Sequence, residues 1–180
     1  MRRKTAQRAA PNAGRNTARN KGIAQNAELK PGAKAPSFTL PGDGGRTLSL
    51  ADFAGRKLVL YFYPRADTSG CTKEAIDFSR LRAEFNRAGA DILGVSADPV
   101  KALDAFKSKH QLTVALASDA THKILDAYGV WQEKSMYGRK FLGIVRSTFL
   151  IGADQRIARV WPKVSVEGHA AAVLAAAKAL

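Results

Sequence analysis

The sequence predicts an α/β domain, and three observations carry that prediction. Stretches with apolar residues at every second position alternate with stretches where they recur at three- and four-residue steps. A continuous apolar, β-favouring run, Lys57 to Tyr63, is stopped by Pro64, as expected of a strand buried on both faces. The chain then closes with two strands around a tight turn and an alanine-rich helix. At 180 residues there is room for one ordinary domain with a real core, and little more.

In chain order, Ser37–Leu40 and Arg46–Leu50 flank Pro41-Gly42-Asp43-Gly44-Gly45, a turn-rich sequence that predicts an N-terminal β-hairpin. The central strand follows. From Cys71 to Gly89, Ala75, Phe78, Leu81, Phe85 and Ala88 form one buried helical stripe closed by glycine. Ile92–Val95 reads as the next strand, and Asp98-Pro99 opens a helix with Ala102, Leu103 and Phe106 inward. Thr113–Ala117 is a short strand, followed by a helix around His122 to Tyr128. Gly143–Ile151 and Arg156–Trp161 read as antiparallel strands joined at Gly152–Gln155, and Glu167–Leu180 is a terminal helix with Val173, Leu174 and Ala177 on one side. This order fits a thioredoxin-like fold, a mixed central sheet flanked by helices.

The net charge of +14 is unusual, and half of it lies in the first thirty residues, where eight basic side chains face Glu28 alone. Between Met1 and Gly22 there is no Leu, Ile, Val or aromatic residue to offset the entropy of ordering the backbone. Residues 1–28 are therefore expected to be a basic disordered tail and residues 29–180 the folded domain. No apolar run follows the basic start as a secretory signal requires, and none approaches a membrane span, so a soluble, cytoplasmic protein is expected. Organelle targeting is the alternative: a presequence shares the Arg-rich composition but also needs an apolar helical face, which the tail lacks. Such a tail would also contact nucleic acid non-specifically and in a salt-dependent way.

The chain has a single cysteine, so it forms no internal disulfide and no thiolate metal cage. His110, His122 and His169 show no metal-ligand spacing and read as surface or packing residues, and no cofactor is implied. Cys71 sits where a buried strand ends and an amphipathic helix begins. Unpaired N–H groups and the positive end of the helix dipole there favour a thiolate over a thiol. Thr68 and Ser69 stand in capping position, and Gly70 allows close backbone approach. Glu74 either supports the site from the first turn or favours the helix start by its charge. Trp131 and Tyr137 border the pocket or pack in a loop.

The run Tyr61-Phe62-Tyr63-Pro64-Arg65-Ala66-Asp67-Thr68-Ser69-Gly70-Cys71-Thr72 resembles the peroxiredoxin active-site pattern. Glu74-Ala75, Lys134–Gly138, Arg146–Ile151 and Val160–Val164 are similar to its bacterioferritin-comigratory, or peroxiredoxin Q, subfamily. The resemblance implies that Cys71 is the peroxidatic cysteine, Thr68 its hydroxyl partner, Pro64 the ring that shields the pocket, and Arg146, expected inside a strand, the activating guanidinium. It implies a thiol-dependent peroxidase acting on hydrogen peroxide and organic hydroperoxides through a Cys71 sulfenic acid. Two positions depart from the pattern: Ser69 stands where most relatives have Pro, and Ile76 where many carry a resolving cysteine. An external thiol must then finish the cycle, whether thioredoxin, glutaredoxin, glutathione or a second copy of the chain. A monomer or weak homodimer is expected. The other function considered is a nucleic-acid-associated redox protein working through its basic tail; a Cys-x-x-Cys exchanger is excluded because no second cysteine exists.

Overall fold

The computed structural model describes residues 29–180; the basic tail predicted for residues 1–28 lies outside the described residues. The elements are β1 (Thr39–Pro41), β2 (Thr47–Ser49), β3 (Lys57–Phe62), α1 (Ser69–Arg87), β4 (Ala90–Ser96), α2 (Val100–Lys109), β5 (Ala115–Ser118), α3 (Lys123–Ala127), β6 (Trp131–Met136), β7 (Arg139–Ile144), β8 (Ser147–Ile151), β9 (Ile157–Trp161) and α4 (His169–Ala179). Five strands form the central mixed sheet in the order β5-β4-β3-β8-β9. β3 runs parallel to β4, and β4 to β5, while β8 is antiparallel to both β3 and β9.

The period-two alternation of β3 divides the core. Val59, Tyr61 and Tyr63 face a layer built from Phe78 and Phe85 of α1, Leu103 and Phe106 of α2, and Val173 and Leu174 of α4. Leu58, Leu60 and Phe62 face the opposite layer, with Leu40 and Leu48 of the β1–β2 hairpin, Leu125 of α3 and Tyr128. The β3 residues named are all essentially inaccessible to solvent, which explains why this strand reads as an unbroken apolar run. The N-terminal hairpin is clamped to the far edge by the buried Asp43 carboxylate, which accepts from Leu116 N at 2.8 Å and from Lys107 Nζ at 2.6 Å. The result is the thioredoxin-like sandwich expected from the sequence. Among the described residues no helix is long and apolar enough to cross a membrane.

Two local expectations need correction. The stretch Gly143–Ile151 is not one strand: it breaks at Val145 and Arg146 into β7 and β8. Val145 N donates to Val130 O there, and Arg146 O accepts from Val164 N, so the backbone leaves one ladder before joining the next. Arg146 therefore sits in a connection, where its side chain is free of the sheet's in-and-out alternation. Upstream of the break, β7 pairs with β6 in a separate antiparallel arm, with Met136 opposite Arg139 across a two-residue turn. Tyr137 and Gly138 both have positive φ, 51° and 75°, as the twist of such a tight turn requires.

Candidate active site

α1 begins at Ser69, two residues earlier than the apolar stripe alone indicates, so Cys71 is the third residue of its first turn. Thr68 occupies the N-cap: its carbonyl accepts from Thr72 N at 2.8 Å. Its side chain does not cap. The hydroxyl, exposed, donates to Arg65 O at 2.9 Å, leaving the first N–H groups of the helix uncommitted by it. The register pair Phe62–Ser147 places the start of β8 at the same end of the sheet as the β3–α1 loop. Arg146 immediately precedes that point, and this is what brings it to the cysteine across 75 positions of sequence.

Arg146 Nη2 donates to Cys71 Sγ at 3.3 Å, and Nη1 donates to Glu74 Oε2 at 2.5 Å. Cys71 and Glu74 are three residues apart on a helix, hence on one face, and a planar guanidinium serves both at once through two donors in fixed directions. Gly70 makes room for it: a Cβ at that position would lie 3.2 Å from Nη2. Both Cys71 and Glu74 are only 1% exposed, and the Arg146 side chain is mostly buried. Burial opposes the charge on Arg146, but the neighbouring Glu74 and sulfur outweigh it and hold the guanidinium protonated more firmly than usual. The Glu74 carboxyl is pushed up to about 7, by burial first, against the pull of Arg146. Its Oε1 has no hydrogen-bond partner among the described residues.

The floor beneath this group is aromatic. Tyr61 stacks on Phe78 at 4.8 Å between ring centroids, and burial drives both the Tyr61 and Tyr63 hydroxyls far above the usual phenol range. Neither hydroxyl makes a well-formed hydrogen bond; that of Tyr63 faces Ser96. Behind them His169, buried, shares a 2.8 Å hydrogen bond with Thr148 Oγ1 and is pushed down to about 4, by burial and then by the Arg146 charge. It is a neutral packing residue at working pH.

Of the four residues singled out in the sequence, Cys71 and Arg146 are in direct contact. Thr68 and Pro64 lie on the same loop, but the Thr68 hydroxyl bonds to backbone rather than to the sulfur, and the half-buried Pro64 has no polar link to it. The sequence left Glu74 between two readings; its ion pair and burial place it in support of the site. Tyr61 and Tyr63, strand residues that also open the active-site run in the sequence, form the floor beneath the group. Ile76, at the position of a resolving thiol, is half-buried and packs on the core. Among the described residues no cluster of His, Cys, Asp and Glu is arranged to hold a metal ion.

A sulfur held by a guanidinium in the first turn of a helix, on a thioredoxin-like sheet, is an arrangement suited to a reactive thiol. The sequence profile of the AhpC/TSA family matches residues 31–160, and the chain belongs to that family. A putative peroxiredoxin Bcp of Coxiella burnetii is 48% identical over 146 residues, covering 81% of this chain and 97% of the relative. A bacterioferritin comigratory protein of Xanthomonas campestris, solved in work on its alkyl peroxide reduction activity, superposes with a TM-score of 0.78 at 44% identity, covering 83% of this chain and 98% of that one. A cysteine-to-serine mutant of peroxiredoxin Q from Xylella fastidiosa superposes with a TM-score of 0.80 at 39% identity, covering 84% and 96%. The chain is a thiol peroxidase. The relatives lend nothing to a nucleic-acid-associated function, and the segment that would carry it precedes the matched residues.

Proposed function

We propose that Cys71 is the peroxidatic nucleophile and that it reduces hydrogen peroxide and organic hydroperoxides, as the alkyl peroxide activity of the Xanthomonas relative suggests. The observation that carries this reading is the 3.3 Å contact from Arg146 Nη2 to Cys71 Sγ. The thiolate attacks the terminal peroxide oxygen; an S–O bond forms as the O–O bond breaks. Cys71 becomes a sulfenic acid, and the leaving alkoxide or hydroxide takes a proton from solvent. Charge moving onto the leaving oxygen is met by Arg146 and by the first-turn N–H groups of Gly70 and Cys71. Thr68, whose proton is committed to Arg65 O, offers lone pairs to the O–H of an incoming peroxide. Pro64, half-buried in the same loop, shields the pocket from water in this reading.

Because there is one cysteine, two external thiol equivalents return the sulfenic acid to thiol, releasing water and a disulfide. That need suits a reducing compartment such as the cytoplasm, supplied by thioredoxin, glutaredoxin or glutathione, and a monomer or weak homodimer suffices for it. The test is Cys71→Ser assayed by peroxide consumption, together with trapping of the sulfenic acid in the wild type by dimedone and mass spectrometry. One adduct per chain on Cys71 and loss of turnover in the variant are expected; a variant that still consumes peroxide overturns the assignment.

A further inference from the structure

The arm formed by β6 and β7 is exposed on both faces over most of its length, yet it carries large apolar side chains. Tyr137 is 98% exposed, Leu142 60%, Met136 56% and Phe141 42%, and all four lie within seven residues. Its base is fixed: Ile144 is buried, and the Trp131 ring stacks on His122 with centroids 3.9 Å apart. A hairpin anchored at its root and carrying exposed apolar side chains from its middle to its turn has surface that nothing in the described chain covers, as interaction sites do.

The arm's position ties it to the catalytic cycle. β7 ends at Ile144, two residues before the guanidinium that holds the Cys71 sulfur, and at the same end of the sheet as the cysteine loop. Its charge narrows the partner. Lys134, Arg139 and Lys140 stand against Glu133 alone; Lys140 pairs with Glu133 at 3.1 Å, and Arg139 has no ion pair among the described residues. A second copy of a chain carrying +14 would bring like charges together, whereas an acidic surface is attracted. A small thiol has no use for so much apolar area.

We propose that the β6–β7 arm is the docking surface for the reductant, an acidic protein bearing a dithiol, which seats on Tyr137, Phe141 and Leu142 while it reduces Cys71. The proposal rests on the reading of Cys71 as the peroxidatic residue. In the step it serves, a partner thiolate attacks the sulfenic sulfur, forming a mixed disulfide as hydroxide leaves and is protonated to water. The partner's second thiol then displaces the Cys71 thiolate, and the partner departs as a disulfide.

The test compares the wild type with a Tyr137→Ser, Phe141→Ser, Leu142→Ser triple variant, driven either by thioredoxin with NADPH and thioredoxin reductase or by dithiothreitol. Since exposed anchors of this type dominate protein interfaces, kcat/KM for thioredoxin should fall about tenfold or more, with dithiothreitol turnover unchanged. Arg139→Glu with Lys140→Glu should give a similar loss that shrinks as salt is raised. Equal thioredoxin rates in wild type and triple variant overturn the proposal. So does an equal loss with both reductants, which makes the arm merely structural, or a wild type that dithiothreitol supports and thioredoxin does not. A wild-type dimer or anionic-vesicle binding that the triple variant abolishes, with thioredoxin turnover intact, assigns the arm to another occupant. A wild type inactive with every thiol overturns the peroxidase assignment instead.

Discussion

Replacing Glu74 with glutamine should make the protein progressively more stable than the wild type as pH rises. The carboxyl is held by the fold at about 7, against 4.5 for the free group. The native state thus binds this proton more tightly than the unfolded chain does. The contribution is fully present below about pH 4.5 and is lost as pH rises through about 7. At 1.36 kcal/mol for each tenfold change in proton affinity, the loss approaches about 3 kcal/mol by pH 8. Glutamine keeps the acceptor oxygen that Arg146 Nη1 reaches and carries no proton linkage. Urea denaturation of both proteins at pH 5 and pH 8 isolates the effect, because the other titrating groups largely cancel in the difference. The two should lie within about 1 kcal/mol of each other at pH 5, with the variant ahead by about 2–3 kcal/mol at pH 8. A gap that does not change with pH, or one that favours the wild type at pH 8, refutes the burial argument.

Gly70→Ala should be stabilising by up to about 1 kcal/mol, since the position is helical, yet slow the reaction with peroxide several-fold because the new Cβ crowds Arg146 Nη2; an unchanged single-turnover rate contradicts this. Arg146→Lys replaces two directed donors by one point charge and should slow sulfenic acid formation by about 10–100-fold in stopped-flow measurements, the equivalent of one charge-assisted hydrogen bond. Thr68→Val should cost about tenfold in peroxide rate but less than about 0.5 kcal/mol in a urea melt, because the hydroxyl is exposed and caps nothing; a stability loss above about 1 kcal/mol means that it caps the helix in solution.

The fold was legible because its signals are local. The run Lys57–Tyr63 and the stripe Ala75, Phe78, Phe85 each declare a periodicity and a buried face within one element. The β6–β7 arm escaped because its burial follows no face: apolar Phe141 and Leu142 are adjacent and both exposed, so neither period applies. Its turn was there to be read, but Tyr137-Gly138 lacks the Asn or Asp that usually announces a two-residue hairpin. Within the site, Cys71 announced itself by its place before a helix. The Glu74–Arg146 pair joins residues 72 positions apart, and no spacing rule reaches that far. Thr68 shows the limit from the other side. A threonine at an N-cap position predicts a capping bond, yet its hydroxyl turned to Arg65 O, since the N-cap is defined by backbone and a side chain there has a choice of partners.

The energetics of the Cys71, Arg146 and Glu74 group separate its role from that of the core around it. A buried ion pair seldom stabilises a fold relative to neutral groups of the same shape, and here one carboxylate oxygen has no partner among the described residues. The hydroxyl of Tyr61, whose ring stacks on Phe78, likewise has no partner among the described residues, in a layer that an apolar ring would fill at lower free energy. The guanidinium gains something specific from the arrangement. Glu74 fixes its plane through Nη1, so that Nη2 points at the sulfur instead of sampling solvent. Burial opposes the ionisation of Glu74, so the carboxyl orients Arg146 while neutralising its charge less than an exposed carboxylate would. A permanently ionised partner would orient the arginine equally well but would compete with the sulfur for it. The stability that this burial forfeits as pH rises is the quantity the Glu74→Gln titration reads.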